Sequence, residues 1–354
     1  MEQFIVFSDL HLNAWTYGAS YDSFGRNSRL ENQISALEKM ALYAHERDIK
    51  YLLFCGDFFH THGMVKTEVL QGAHIVLEKI KRVWGIEIVW IVGNHDQADK
   101  YGYIHSLDIL NHYGYYADID YLELPGLPLI HGLSYTEDET DLKTFLEHLK
   151  PDSIVLMHQG VSGVEIGSKG FTLNEMLTPD MIPDHILHAF VGHYHDHRMI
   201  NDKLTIPGAM MQHTWSDAGE ERGFLVVTIE GKKIHIEHID SGDNKFVKLT
   251  YKEAMKRSKY NRPVVPLQGF YKITGVSNKE HADLIRNTLF NNGALAVEIE
   301  MEVGEKEEVE NESFDNFNDL FLEYIAKNNI EGRQLQIGRE IKDGNYETPL
   351  FNSE

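Results

Sequence analysis

Short apolar runs punctuate the first two-thirds of the chain, and each stops on Gly, Asp, Asn or His. Phe4 to Phe7 runs into Ser8-Asp9, and Tyr51 to Cys55 into Gly56-Asp57. Ile86 to Val92 runs into Gly93-Asn94-His95-Asp96, Ser153 to Met157 into His158, and Ala189 to Val191 into Gly192-His193. Such runs predict buried strands. Between them Leu30, Ile34, Leu37, Ala41 and Ala44 recur at helical spacing, behind a predicted capping box at Ser28-Arg29-Leu30-Glu31. Val69, Leu70, Ala73, Val76, Leu77 and Ile80 mark a second helix, with Gly85 past its end. Phe224 to Ile229 and Lys233 to Ile239 alternate as a hairpin around Glu230-Gly231. Alternating strands and helices define an α/β domain over 1–241. In open α/β sheets ligands sit outside the carboxyl ends of the strands. The polar run ends would therefore meet at one rim.

The alternation changes after residue 241. The stretch to Gln268 contains Pro263 and Pro266 and reads as a linker with a short helix. Phe270 to Val276, a helix behind a capping box at Ser277-Asn278-Lys279-Glu280, and Ala294 to Met301 form a small β-α-β unit. The linker and this unit together make a capping domain over 242–304. Residues 305–354 read as an acidic linker and a last helix capped by Ser313, with Phe314, Phe317, Phe321 and Tyr324 along one side.

Composition narrows the class. The 354 residues are 42% hydrophobic and 25% charged, an ordinary globular balance that excludes a disordered or fibrous chain. No apolar run nears the roughly 18 residues of a membrane span. MEQFIVFSDLHL lacks the basic start and long apolar stretch of a signal peptide. The one cysteine, Cys55, excludes an intrachain disulfide and a thiolate zinc site, so a reducing cytoplasm is expected. Any metal would be held by the 20 histidines and the carboxylates.

With 33 Lys and Arg against 55 Asp and Glu the net charge is −22. Bulk attraction to nucleic acid is disfavoured, although bound cations can supply positive charge locally. The charge is uneven. Residues 298–312 hold eight Glu and one Lys, and residues 241–268 hold seven Lys or Arg against Asp243 and Glu253.

A lone His or Gly-Asp is usually structural. Five strand-end motifs in one order are not so explained, because a core holding so many His and Asp would carry a large desolvation cost unless cations paired them. Asp9, His11, Asp57, Asn94, His158, His193 and His195 give seven side chains. That set suits two metal ions with Asp57 bridging. Mixed oxygen and imidazole donors suit manganese, iron or zinc better than calcium.

The order D-x-H, G-D, G-N-H-D, H, G-H-x-H over residues 1–240 resembles the calcineurin-like metallophosphoesterase superfamily. His60, three residues after Asp57, resembles its double-strand-break repair nuclease branch (SbcD-like), as do Pro207-Gly208, Arg222-Gly223-Phe224 and a capping domain. In size the chain resembles phage recombination endonuclease subunits most. The resemblance implies a β-sandwich flanked by helices, and a manganese-dependent nuclease of a bacterial or phage-infected cytoplasm. Asp9, His11, Asp57 and His195 would hold one ion, and Asp57, Asn94, His158 and His193 the other. His95 would stabilise or protonate the leaving 3′ oxygen, Asp96 would orient His95, and His60 would place the scissile phosphate. His62, His197 and His213 lie near the motifs and are taken as peripheral.

The resemblance also implies 3′-to-5′ cleavage of duplex ends, endonuclease action on single strands, a homodimer and a coiled-coil ABC-type ATPase partner (SbcC-like). By family analogy the dimer surface would include Leu107, Ile109 and Leu110. Lys245, Lys248, Lys252, Lys256 and Arg257 are candidate DNA contacts, against the alternative of a solvated face. The stripe Phe314, Phe317, Phe321 and Tyr324 is the candidate ATPase-binding face, or packs on its own chain. Two other functions stay open: a phosphoesterase of small phosphoesters, and a non-catalytic scaffold for the ATPase.

Overall fold

The computed structural model describes residues 2–99, 102–118, 121–166, 171–172, 174–219, 221–256 and 268–302. Met1–Glu302 forms one compact unit. The chain begins with β1 (Glu2–Phe7), α1 (Ser28–Glu46), β2 (Tyr51–Phe54), α2 (Thr67–Glu78), β3 (Glu87–Trp90) and β4 (Gly114–Tyr116). These four strands are parallel neighbours in that order.

A second sheet follows. It contains β5 (Ile130–Leu133), then α3 (Glu139–Glu147) on its outer side, and β6 (Ile154–His158). A two-residue ladder, β7 (Glu165–Ile166) with β8 (Phe171–Thr172), precedes β9 (His188–Gly192), β10 (Arg198–Asn201) and β11 (Leu204–Ile206). The chain then returns to the first sheet as the hairpin β12 (Gly223–Glu230) and β13 (Lys233–Asp240), with β12 antiparallel to β1. The sheets read β13-β12-β1-β2-β3-β4 and β10-β11-β9-β6-β5.

Strand alternation builds the layers. Phe4 and Val6 of β1 point to the second sheet and pack with Leu53, Val89, Leu156 and Phe190. Ile5 and Phe7 point the other way, onto Leu37, Met40 and Ala41 of α1. Each such fully buried side chain contributes about 1.5–3 kcal/mol. On the outer face of the second sheet, Val155, Met157, Ala189 and Val191 pack with Leu142 and Leu146 of α3. The result is two sheets face to face with helices outside, the expected sandwich.

The ends of α1 and α2 refine the reading. Asn27, not Ser28, caps α1, its side chain accepting from the amides of Arg29 and Leu30. The last turn after α2 widens to a π-helix over Lys79–Val83. Leu107 and Leu110, expected at a dimer surface, are 0% and 3% exposed and belong to the core, whereas Ile109 is exposed.

The capping unit is larger than expected. Lys245–Thr250, read as linker, is a strand, β14. Its alternation, Val247 and Leu249 toward the cap core with Lys248 and Thr250 exposed, is hidden in the sequence by the lysines. After α4 (Tyr251–Ala254) come β15 (Gly269–Val276), α5 (Lys279–Asn291) and β16 (Ala294–Met301), giving a parallel sheet β14-β15-β16. Asn278, one position later than the expected cap, accepts from the His281 amide to start α5. Tyr271, Ile273, Ile285 and Leu289 fill a separate core. Arg257 and the stripe Phe314, Phe317, Phe321 and Tyr324 lie outside the described residues.

Candidate metal centre

All the strand-end motifs gather at one rim. Asp9 and His11 follow β1, Asp57 follows β2, Asn94 and His95 follow β3, His158 closes β6, and His193 and His195 follow β9. Four of these residues hold positive φ: Asp9 (49°), His11 (45°), Asp57 (62°) and His193 (106°). That region is sparsely used by residues other than glycine and costs of order 1–3 kcal/mol each. The bends turn the side chains off the strands toward a common point.

Glycines make room for them. A Cβ on Gly93 would run into the Asp57 carboxylate and amide, and one on Gly56 into the His158 ring. Gly56 also holds φ +91°. The Gly-Asp and Gly-Asn spacing is therefore a steric requirement of the site as well as a turn.

The side chains face one another closely. His11 Nε2 lies 3.1 Å from His195 Nε2 and 3.9 Å from Asp9 Oδ1. Asn94 Oδ1 lies 3.1 Å from both His158 Nε2 and His193 Nδ1. Asp57 Oδ2 stands between these groups, 3.5 Å from His11 Nε2 and 3.5 Å from His158 Nε2. Two trios, Asp9 with His11 and His195, and Asp9 with Asp57 and His158, each offer ligand atoms within 4.8 Å of one another. All seven candidate ligands thus come together.

Hydrogen bonds outside the cluster set the ring tautomers. His158 Nδ1 donates to the Cys55 carbonyl at 2.6 Å, and His195 Nδ1 pairs with Asp217 Oδ1 at 3.2 Å. Each therefore turns Nε2 inward, as metal-binding imidazoles do.

The electrostatics point the same way. Burial pushes the Asp9 carboxyl up from its ordinary range. Burial alone would also raise Asp57, but His158, His11 and His95 hold it below the usual carboxylate range. Burial opposes a charged His158, yet the Asp57 and Asp9 carboxylates push it up to about 9. Burial, with His158 nearby, lowers His193 to about 4. Asp9 Oδ1 is buried with no hydrogen-bond partner. Left so, a buried carboxylate oxygen costs several kcal/mol, of order 1–3 or more. A divalent cation is the partner this oxygen lacks, and the donor set fits one.

His95 stands at the edge of the cluster. Its amide donates to Asp57 Oδ1 at 2.8 Å and its Nδ1 donates to the His60 carbonyl at 2.6 Å. His60 and His62 stack on its ring at 5.3 and 4.6 Å between centroids. His60 Nδ1 lies 3.4 Å from His11 Nδ1. Burial, reinforced by His95, lowers His60 to about 4.

Asp96 does not orient the His95 ring. Its carboxylate accepts from four main-chain amides, those of Asp57, Phe58, Phe59 and Gly93. It ties the turn after β2 to the turn after β3, so it fixes the backbone that carries Asp57 and Asn94. The expected charge partner of His95 is replaced by the neutral His60 carbonyl.

Two groups escaped the sequence reading. Asp217 holds His195, and its Oδ2 accepts from the amides of His213 and Thr214. His213, taken as peripheral, is 4% exposed and packs against the His11 ring at 5.4 Å. Both lie in a loop reached from β11 by way of Pro207-Gly208 and Ala209-Met210-Met211, and neither stands at a strand end. Asp217 is one of three acidic residues between Pro207-Gly208 and Arg222-Gly223, so the sequence does not single it out.

The cationic candidates diverge. Lys245 Nζ is spent on Asp243 Oδ1 at 3.0 Å and Asp240 Oδ2 at 3.2 Å. Lys248, Lys252 and Lys256 are exposed.

A centre of buried carboxylates and inward-facing imidazoles, with Asp57 standing between them, fits a metal-dependent phosphoesterase. Residues 3–197 match the calcineurin-like phosphoesterase family, and the chain belongs to it. The chain is also similar to the DNA double-strand break repair protein Mre11 of Methanopyrus kandleri, 23% identical over 244 residues, 60% of this chain and 52% of that protein. It thus spans about half the length of that curated relative. Among solved structures it is similar to a dimetal phosphatase from Danio rerio, with 9% identity, 68% of this chain and 97% of that one covered and a TM-score of 0.41. It is likewise similar to GAP50 of Plasmodium, with 14% identity, 68% and 85% covered and a TM-score of 0.42. No helix among the described residues is long and apolar enough to cross a membrane.

Proposed function

We propose that the chain is a manganese-dependent DNA nuclease, a 3′-to-5′ exonuclease on duplex ends and an endonuclease on single strands. It would act as a homodimer with a coiled-coil ABC-type ATPase in break repair and recombination, in a bacterial or phage-infected cytoplasm. The observation that carries the reading is His95, locked by the His60 carbonyl beside seven converging ligands. The Mre11 relative supports DNA as the substrate.

Asp9, His11, Asp57 and His195 would hold one ion, and Asp57, Asn94, His158 and His193 the other. The chemistry two bound cations supply is charge neutralisation on the attacking and leaving oxygens of a phosphoryl displacement. With Nδ1 committed to His60, His95 has Nε2 left to hold a proton for the leaving 3′ oxygen. His60, stacked against His95, would place the phosphate. The exposed Lys248, Lys252 and Lys256 would contact the DNA backbone.

One observation favours a small phosphoester instead: the chain is strongly acidic and Lys245 is neutralised internally. Digestion of end-labelled duplex and plasmid nicking with manganese, beside p-nitrophenyl phosphate hydrolysis, separates the two. Nicking is expected. Hydrolysis of the small ester with intact DNA would overturn the nuclease reading. For the partner, deletion of residues 313–354 is expected to weaken ATPase association while single-strand cleavage persists. Unchanged association would place the partner surface elsewhere.

A further inference from the structure

The loop Gln212–Asp217 touches a candidate ligand at one end and the capping sheet along its length. At the ligand end Asp217 Oδ1 is shared between His195 Nδ1 and Arg222 Nη2, each at 3.2 Å. Arg222 is 1% exposed and also binds Asp196 Oδ1 at 2.9 Å, so it pins Asp217 to the segment that carries His195. Asp217 Oδ2 gathers the His213 and Thr214 amides, making the loop rigid around the carboxylate.

Three residues, Gln212, Trp215 and Arg29, join the same loop to the cap. Gln212 Oε1 accepts from the Phe246 amide of β14, and the Gln212 amide donates to Asp243 Oδ2 at 2.8 Å. Trp215 Nε1 donates to Glu298 Oε1 of β16 at 3.1 Å. Arg29 Nη2 donates to the His213 carbonyl at 3.0 Å, while its guanidinium lies over Phe270 of β15 at 4.6 Å and Phe246 at 5.4 Å.

We propose that Asp217 is a positioning residue for His195, and that the capping sheet sets its position through Trp215, Gln212 and Arg29. The geometry is directional. Moving β16 moves Trp215, the 3₁₀ turn Trp215–Asp217 moves as one piece, and the carboxylate that aims His195 goes with it. A change of cap position would then act first on the ion site of Asp9, His11, Asp57 and His195, because His195 is not among the ligands of the other site, which shares only Asp57 with it. The inference rests on the metal centre proposed above but not on DNA as substrate.

Calorimetric titration of the metal-stripped chain with manganese alone tests it, with thermal melting of the metal-free proteins alongside. Asp217→Asn is expected to weaken one of two binding events at least tenfold, within the range for partners of metal ligands. Glu298→Ala is expected to weaken the same event by a few-fold, and Glu298→Gln, which keeps an acceptor for Trp215, to restore it. Metal-free melting of the two Glu298 variants should differ little, so a purely structural role would leave the isotherms unchanged. Wild-type isotherms for Glu298→Ala, or equal weakening of both events, would overturn the coupling. Failure of the wild type to bind two ions would sink the metal centre itself, a separate outcome.

Discussion

His95 donates its Nδ1 proton to the main-chain oxygen of His60 at 2.6 Å. A carbonyl can only accept, so this bond fixes the tautomer and leaves Nε2 as the working nitrogen. Unlike a carboxylate, a carbonyl adds no formal negative charge behind the ring. His95→Ala is expected to keep both manganese-binding events and lose DNA cleavage by about 10²–10⁴-fold. Calorimetry and a nuclease assay on the same preparation check this. Near-full cleavage would remove His95 from the reaction.

Asp96 acts on the backbone. Replacing it with Asn would turn an amide N–H₂ toward amide donors that now share a carboxylate. At least one donor would lose its acceptor in a site that is 0% exposed. Leaving a buried donor without its acceptor typically costs about 1–3 kcal/mol. Asp96→Asn should therefore lower the midpoint of denaturant unfolding and weaken manganese binding together. A variant with native stability and binding but slow cleavage would instead return Asp96 to an orienting role on His95.

Removing metal should be felt in stability as well as activity. Asp9 Oδ1 has no hydrogen-bond partner, and deep in the rim the Asp57 carboxyl is shifted down and the His158 imidazole up by each other. A cation bound only by the folded state stabilises it by about 2.7 kcal/mol at a hundredfold excess over Kd. Chelation should lower the melting temperature and abolish cleavage. Manganese should restore both better than magnesium, which dehydrates reluctantly and prefers oxygen donors. Equal restoration by magnesium would argue against the imidazole-rich ligand set.

What was legible beforehand follows from one physical fact. A buried strand needs an apolar run, and a strand that delivers a ligand must break at that ligand. Asp9, Asp57, Asn94, His158 and His193 stand at such breaks, so the rim could be read from the residues in order. Asp217 and His213 could not, because the loop that carries them is placed by Arg222 and by the cap, neither adjacent in sequence. Lys245 misled for a related reason. A basic residue before Pro-containing sequence suggests a solvated linker, whereas Phe246 and the pairing of Lys245 with Asp243 make it part of a sheet. The role given to Asp96 erred by adjacency: next to His95 in sequence, its side chain points to the turn after β2 instead.

Acid sensitivity should arise outside the metal rim as well. His188, in β9, is 2% exposed, lies tilted against the Phe190 ring at 4.8 Å between centroids and bonds Thr205 Oγ1 at 2.9 Å. Burial lowers its imidazolium to about 4, against 6.5 for an ordinary histidine. The unfolded chain therefore takes up a proton at a pH where the folded chain does not. Stability is fully present above pH 6.5, falls as pH drops through that value, and its loss is complete below about 4. The gap is worth about 3 kcal/mol. Replacing His188 by Gln, which keeps a polar partner for Thr205 and cannot titrate, should flatten the fall in unfolding free energy across this window. Denaturant unfolding of the metal-free proteins at pH 7, 6, 5 and 4 measures it, with the rim histidines common to both. Identical pH slopes for wild type and variant would show that burial does not lower His188, which would then titrate alike in the folded and unfolded chains.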